Sequence, residues 1–259
     1  MDKAIAVEIQ GVSHIYGQNN GAPIRALADI NLTIYNGDFV SIVGPSGCGK
    51  STLLSIIAGL LQPGEGYVLI EEASVEEALR RRRLAMVFQD PVLLPWRTTQ
   101  ENIQLPLELS ASLPIDARQI QAQIKSVMLQ GFESRFPKEL SGGMRSRVAI
   151  ARALVLSPSV LLMDEPFGSL DELTAQNLNL ELLRIWEEQH PTIILVTHSI
   201  SQAVFMSDRV IVLSPRPGRI VEDVNIDLPR PRTENTLSSE RFLELSAIVR
   251  RALSVKYNP

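Results

Sequence analysis

The sequence predicts an α/β protein with a parallel sheet, and three observations point there. Short apolar, β-branched runs recur at Phe39 to Val43, Val160 to Met163, Ile193 to Val196 and Val210 to Leu213, as expected of strands buried on both faces. Helical stretches such as Leu173 to Glu188 separate them, which favours parallel crossover connections. A glycine-rich loop, residues 44–51, joins the first of these runs to a helical segment, Thr52 to Leu61, in the order strand, loop, helix.

Ahead of that core, Ala4 to Ile9 and Asn31 to Tyr35 alternate apolar and polar residues with Gly, Asn and Pro between them, predicting an N-terminal antiparallel β subdomain. From about Thr98 to Leu156 the periodicity is helical with no strand-like run, so a helical insertion over about 98–156 is expected. Pro229, Pro231 and the polar stretch to Ser239 read as a linker. Phe242, Leu245, Val249 and Leu253 then fall at helical spacing, predicting an amphipathic helix that packs back on the body. The expected organisation is one domain over 1–230, followed by the linker and helix of 231–259.

Length and composition bound the reading. A chain of 259 residues suits one large domain or one with a small appendage. With 21% charged and 45% hydrophobic residues it is neither disordered nor fibrous. A net charge of -4 supplies no broad basic field, so no nucleic-acid partner is expected. The single cysteine, Cys48, excludes an intramolecular disulfide and fits a reducing compartment. The start, Met1-Asp2-Lys3-Ala4, carries no secretory pattern, and runs such as Leu53 to Leu61 are far shorter than the roughly 20 residues a spanning helix needs. A cytosolic protein is expected, and work at a membrane would need another chain to cross it.

Gly44-Pro45-Ser46-Gly47-Cys48-Gly49-Lys50-Ser51 matches the P-loop pattern in its proper context. Its glycines let backbone N–H groups converge on phosphate oxygens, and the helix that opens at Thr52 presents its positive end to the same anion. Lys50 is the candidate for the β- and γ-phosphates of ATP, and Ser51 for ligating Mg²⁺. Leu161-Leu162-Met163-Asp164-Glu165 ends a buried run on two carboxylates. Asp164 is the second candidate Mg²⁺ ligand, and Glu165 the carboxylate that polarises the attacking water.

Leu140-Ser141-Gly142-Gly143-Met144, ending 20 residues before Asp164, resembles the signature motif of ABC ATPases. A serine and two glycines at a helix start offer N–H groups and a hydroxyl to an anion, and Ser141 also suits the role of helix cap. The resemblance departs at Met144 and Ser146, where many relatives carry Gln, and leaves the phosphate-facing residues intact. Further motifs resemble the family's in the family's order. Tyr16 looks like the aromatic that stacks on adenine, with a plain strand residue as its alternative. Gln89 resembles the Q-loop glutamine near Mg²⁺ and the water. Ser169-Leu170-Asp171 resembles the D-loop, and His198 the switch histidine that contacts the γ-phosphate.

The resemblance covers roughly residues 4–230. It implies an ABC ATPase fold and a catalytic set of Lys50, Gln89, Glu165 and His198. The implied nucleotide-binding set is Tyr16, residues 44–52, Gln89, Ser141, Gly142, Gly143, Asp164, Asp171 and His198, with Ser51, Gln89 and Asp164 at the metal. It also implies a second ATPase subunit, identical or a close paralogue, in a dimer that shares two ATP sites. Integral membrane permease subunits and, indirectly, an extracytoplasmic substrate-binding protein would complete the assembly at the cytoplasmic face of the inner membrane. The segments Leu93 to Arg97 and Val212 to Ile220, with Pro231-Arg232, look like importers of nitrate, sulfonates, taurine and related anions; bicarbonate and thiamine-pyrimidine-precursor importers carry similar subunits.

Competing readings weigh against their own missing features. ABC ATPases of DNA maintenance usually carry coiled coils or zinc modules, and this sequence has neither heptads nor clustered cysteines. Soluble translation regulators of the family usually fuse two cassettes, and one P-loop is present. His14 and His190 read as structural or solvated. Cys48, inside the loop, is a small tolerated side chain that a thiol reagent could reach. The run Arg80 to Arg83 is a solvated helix end or a contact for anionic lipid or a partner. Leu93-Leu94-Pro95-Trp96 is core packing or, as the resemblance favours, a docking surface for the membrane subunit.

Overall fold

The computed structural model describes residues 3–17, 22–110 and 116–254. Strands β1 (Ile5–Tyr16) and β2 (Ile24–Tyr35) pair antiparallel. Strand β3 (Phe39–Val43) leads through the glycine loop into α1 (Lys50–Ile57). Strands β4 (Glu65–Ile70) and β5 (Ala73–Ser74) complete a small antiparallel sheet in the order β2-β1-β4-β5. Helix α2 (Val75–Arg80) precedes β6 (Leu84–Val87), and α3 (Thr99–Glu108), α4 (Ala117–Ser126) and α5 (Gly142–Leu154) follow. The core resumes with β7 (Val160–Asp164), α6 (Glu172–Gln189), β8 (Thr192–Val196), α7 (Ile200–Met206), β9 (Arg209–Leu213) and β10 (Ile220–Asn225), and α8 (Glu240–Ser254) closes the described chain.

The larger sheet runs β10-β9-β3-β8-β7-β6, parallel except for β10 on its edge. Side chains alternate faces along a strand, and the core divides accordingly. Phe39, Leu161, Met163, Ile193, Leu195, Val210 and Val212 pack toward the helices α5 to α8. Val40, Ile42, Leu162, Ile194, Val196 and Ile211 pack toward α1 and the small sheet. Burial on both faces explains why these strands are apolar throughout. The exception in the interior of these strands, Ser41, is buried against the hydroxyl of Ser207.

This order positions the chemistry. The P-loop leaves the carboxyl end of β3, and β7 lies one strand away across β8, so Asp164 reaches the same sheet end where ligands of open α/β sheets bind.

Several boundaries differ from the sequence reading for identifiable reasons. Strands β1 and β2 extend to 12 residues each because bulges and Gly11, at φ +60, interrupt the alternation without ending the pairing. Helix α1 begins two residues before Thr52, since Gly49 at φ 104 turns the loop directly into it. It stops at Ile57, and Gly59 at φ +71 then turns the chain away.

The stretch after Pro231 is not a loose linker. Arg232 is 4% exposed and donates through Nη1 to the carbonyls of Phe205 at 2.9 Å and Ser207 at 2.8 Å, at the end of α7. Arg230 stacks 4.0 Å over the Trp186 ring and bonds Asp208 at 2.7 Å. A 3-10 turn, Glu234–Ser238, carries the chain into α8. There Phe242, Leu245 and Val249 are buried, while Leu253 is half-buried.

Candidate active site

The P-loop folds back on its own lysine. Lys50 Nζ donates to the carbonyls of Gly44 at 2.9 Å and Pro45 at 3.2 Å, and the residue is 8% exposed. The loop is shaped from behind by residues remote in sequence. A Cβ on Gly49 would meet Leu27 Cδ2 at 2.7 Å and the Ala26 carbonyl at 2.9 Å. Gly218 donates its N–H to that same Ala26 carbonyl at 2.9 Å. Arg216 Nε donates to Gly47 O at 3.2 Å. In front, the Tyr16 hydroxyl lies 3.2 Å from Thr52 Oγ1, and the residue is 43% exposed. Tyr16, Ser46, Lys50, Ser51, Glu165 and Arg216 face a common cleft of about 490 Å³.

Beside this cradle stand the two carboxylates. Ser51 Oγ donates to Asp164 Oδ1 at 3.2 Å. Burial pushes the Asp164 carboxyl above the usual carboxylate range, with Glu165 adding to the effect while Ser51 and Lys50 oppose it. Glu165 adopts φ +44, uncommon for a non-glycine residue, and is held there because its N–H donates to Val196 O at 2.9 Å. Its Oε2 is 3.0 Å from His198 Nδ1. The hydroxyl of Ser51 and the carboxylate of Asp164 are adjacent hard oxygen donors beside a phosphate cradle, a set that fits Mg²⁺ bound through one or two protein ligands and substrate phosphates.

The other candidate residues lie apart. Ser141 caps α5, its Oγ accepting from Met144 N at 3.3 Å. Cβ atoms on Gly142 and Gly143 would meet Leu170 Cδ2 at 2.9 Å and Thr174 Cγ2 at 3.1 Å, so both glycines let α5 start against Leu170 and the first turn of α6. Asp171 caps α6, accepting from Thr174 N at 3.0 Å. Gln89 is exposed and shares a second cleft with Gly142, Arg145 and Ser146 rather than with the P-loop. Ser146 points inward, its hydroxyl donating to Pro166 O at 3.3 Å. One chain therefore gathers Tyr16, residues 44–52, Asp164, Glu165 and His198, and leaves Gln89, Ser141, Gly142, Gly143 and Asp171 outside that cleft.

Cys48 corrects an expectation. It is 1% exposed within the apolar cluster behind the loop, and burial pushes its thiol up. A thiol reagent has neither access nor thiolate to attack there. Conversely, sequence reasoning gave Arg216 and Gly218 no site role. The signal was present: Pro215-Arg216-Pro217-Gly218 follows a buried strand at the same sheet end as the P-loop.

A phosphate cradle opening from a parallel strand, with a carboxylate-terminated strand beside it, defines a P-loop ATPase. The chain belongs to the ABC transporter family, with the match running over residues 27–168. It is 46% identical over 241 residues to an uncharacterized ABC transporter ATP-binding protein of Methanocaldococcus jannaschii, covering 93% of this chain and 88% of that one. It is 43% identical to the aliphatic sulfonates import ATP-binding protein SsuB of Bacillus cereus, covering 93% of each. A solved dimeric ATP-binding cassette in a post-hydrolysis state, bound to ADP and Pi, superposes with TM-score 0.75 at 34% identity, over 86% of this chain and all of that one. The chain is thus an ATPase whose hydrolysis is coupled to transport. Among the described residues no helix is long and apolar enough to cross a membrane.

Proposed function

We propose that the chain energises a multi-subunit importer of a small anion such as nitrate, a sulfonate, taurine or bicarbonate. The observation that carries the cargo class is the likeness to an aliphatic sulfonates import subunit across 93% of both chains. The chain works as a pair, bound peripherally to permease subunits at the cytoplasmic face of the inner membrane, with a binding protein outside choosing the cargo.

In this reading Tyr16 stacks on adenine while the P-loop N–H groups and Lys50 hold the phosphates. Ser51 and Asp164 hold Mg²⁺, with Gln89 reaching it in the closed state; the ion, when bound, neutralises phosphate charge. Glu165 polarises the water for in-line attack, and His198 steadies the γ-phosphate. The separation of Ser141, Gly142 and Gly143 from the P-loop cleft fits their use on the ATP of a second copy, with Asp171 at the join. Loss of the γ-phosphate then removes the bridge and reopens the pair. Val92 and Trp96, 58% and 71% exposed beside Gln89, suit the permease contact.

The test is ATP-dependent dimerisation of Glu165→Gln by light scattering without Mg²⁺, alone and combined with Ser141→Arg. Dimers in the first and monomers in the second support the shared site; dimers in both would refute the role of Ser141. Cargo is read from the reconstituted transporter with its binding protein: ATPase stimulation by taurine, alkanesulfonate, nitrate or bicarbonate identifies it, and stimulation by none of them rejects the cargo class.

A further inference from the structure

A cavity of about 300 Å³ lies on the far side of the catalytic pair. Glu165 and His198 stand at one end. Its walls come from Phe167 and Leu170, from α6, from α7 including Phe205, and from Leu237 in the turn before α8. Apolar walls with a few convergent polar groups are the usual composition of a small-molecule site, and this volume is at the lower end of their range.

The polar groups form a directed chain. Ser199 donates its N–H to Thr197 Oγ1 at 3.0 Å, and Thr197 donates that hydroxyl to Gln202 Oε1 at 2.6 Å. Gln202 Nε2 donates to Asn179 Oδ1 at 2.8 Å. Each group in the series passes donation onward, so the chain must end on a donor. That donor is the amide nitrogen of Asn179; the residue lines the cavity and is 7% exposed, and the nitrogen makes no hydrogen bond to a described residue but keeps contact with solvent. A ligand that accepts a hydrogen bond takes the place of water at this nitrogen.

Charge narrows the ligand further. Glu165, Glu172 and Glu234 line the cavity and His198 is the only basic side chain among its lining residues, so an anion meets repulsion. The volume admits about ten heavy atoms on the scale of roughly 30 Å³ per water. We propose that this cavity is an effector site for a small, neutral, amphipathic molecule bearing a hydrogen-bond acceptor. Its occupancy reaches His198 through Asn179, Gln202 and Thr197. The connection is short: Thr197 and Ser199 flank His198, and Gln202 N–H is capped by Ser199 Oγ at 3.2 Å. A bond at the Asn179 end polarises and stiffens the series, holding the imidazole on Glu165 and away from phosphate. Bound ligand therefore slows turnover.

Acetanilide is a suitable neutral probe and benzoate its charged counterpart. Binding is measured by saturation-transfer NMR on the full chain without nucleotide, together with the ring signals of His198. The expected result is millimolar acetanilide binding that shifts the His198 signals, with benzoate at least tenfold weaker. Asn179→Asp, which turns the terminal donor into an acceptor at constant size, and Ala175→Trp, which fills the cavity, should each weaken acetanilide at least tenfold while keeping the wild-type melting curve. Absence of acetanilide binding, equal binding of benzoate, or unchanged binding in both variants would overturn the site. These readouts do not depend on the ATPase reading. The turnover arm does rest on it: saturating acetanilide should lower ATP turnover about threefold in the wild type and not in Asn179→Asp, and unchanged wild-type turnover with binding intact refutes the coupling to His198.

Discussion

Gly218 stands so close to the Cys48 carbonyl that a methyl group could not fit between them. The two residues come from opposite ends of the domain, yet the contact fixes the back of the phosphate cradle. Gly218 also bonds the Ala26 carbonyl, which itself lies against Gly49. Two segments remote in sequence, at Ala26–Leu27 and at Arg216–Gly218, thus brace a loop that carries three glycines.

Gly218→Ala should therefore distort the P-loop rather than a distant surface. Overpacking of this kind costs about 1–3 kcal/mol, each kcal/mol lowering the melting temperature by about 2–4 °C in a protein near this size. ATP affinity, followed with a fluorescent ATP analogue, should fall at least tenfold. A variant that melts lower but binds ATP normally would show that the brace serves folding alone.

Asp164 is kept by burial at a raised pKa in the native state, against about 3.9 for the unfolded chain. Between those values the native state binds more protons, so this group's contribution to stability falls as pH rises through that window, and the cost persists at neutral pH. Asp164→Asn should accordingly be more resistant to urea than wild type at pH 7, with a smaller advantage toward pH 4, while losing Mg²⁺-dependent hydrolysis. Equal urea midpoints at pH 7 would contradict the argument.

Arg232 is nine-tenths buried, and burial pulls its guanidinium down to about 10 while it caps the carbonyls that end α7. Arg232→Ala leaves those carbonyls unpaired, a loss of about 2–4 kcal/mol. Arg232→Lys should recover only part of it, since one ammonium cannot reproduce the planar fork. Chemical denaturation of the three proteins decides the matter, and full recovery by lysine would count against the forked geometry.

The loop bearing Trp96 is tied down from beneath. Asn102, fully buried, bonds the carbonyls of Leu94, Arg97 and Thr98, and Arg152 bonds those of Pro91 and Val92. Trp96→Ala should thus alter stability by less than about 0.5 kcal/mol yet weaken capture by the permease subunits at least tenfold in a pull-down titration. Unchanged capture would remove Trp96 from the docking surface.

The Arg80 to Arg83 run illustrates how surface charge resolves in three dimensions. Arg80 and Arg81 both pair with Glu77 on α2, and Arg83 lies 3.7 Å from Glu71. Neighbouring acids absorb much of what the sequence displays as a basic cluster.

What the sequence determined by itself was the local chemistry. Residues 44–51 specify a phosphate loop because only glycine permits the backbone that Gly49 adopts, and the predominantly apolar runs of β3, β7 and β8 declare burial on both faces. The ends of β1, β2 and α1 were less legible, since bulges and left-handed glycines interrupt a period without ending a pairing. Tertiary structure alone decided which distant residues meet. It placed Gly218 and Arg216 behind the P-loop, hid Cys48, turned the stretch after Pro231 into a clamp on α7, and aligned Asn179 with His198 across a cavity. Contacts of this kind depend on strand order and helix packing, and neither is encoded in the spacing of residues along one segment.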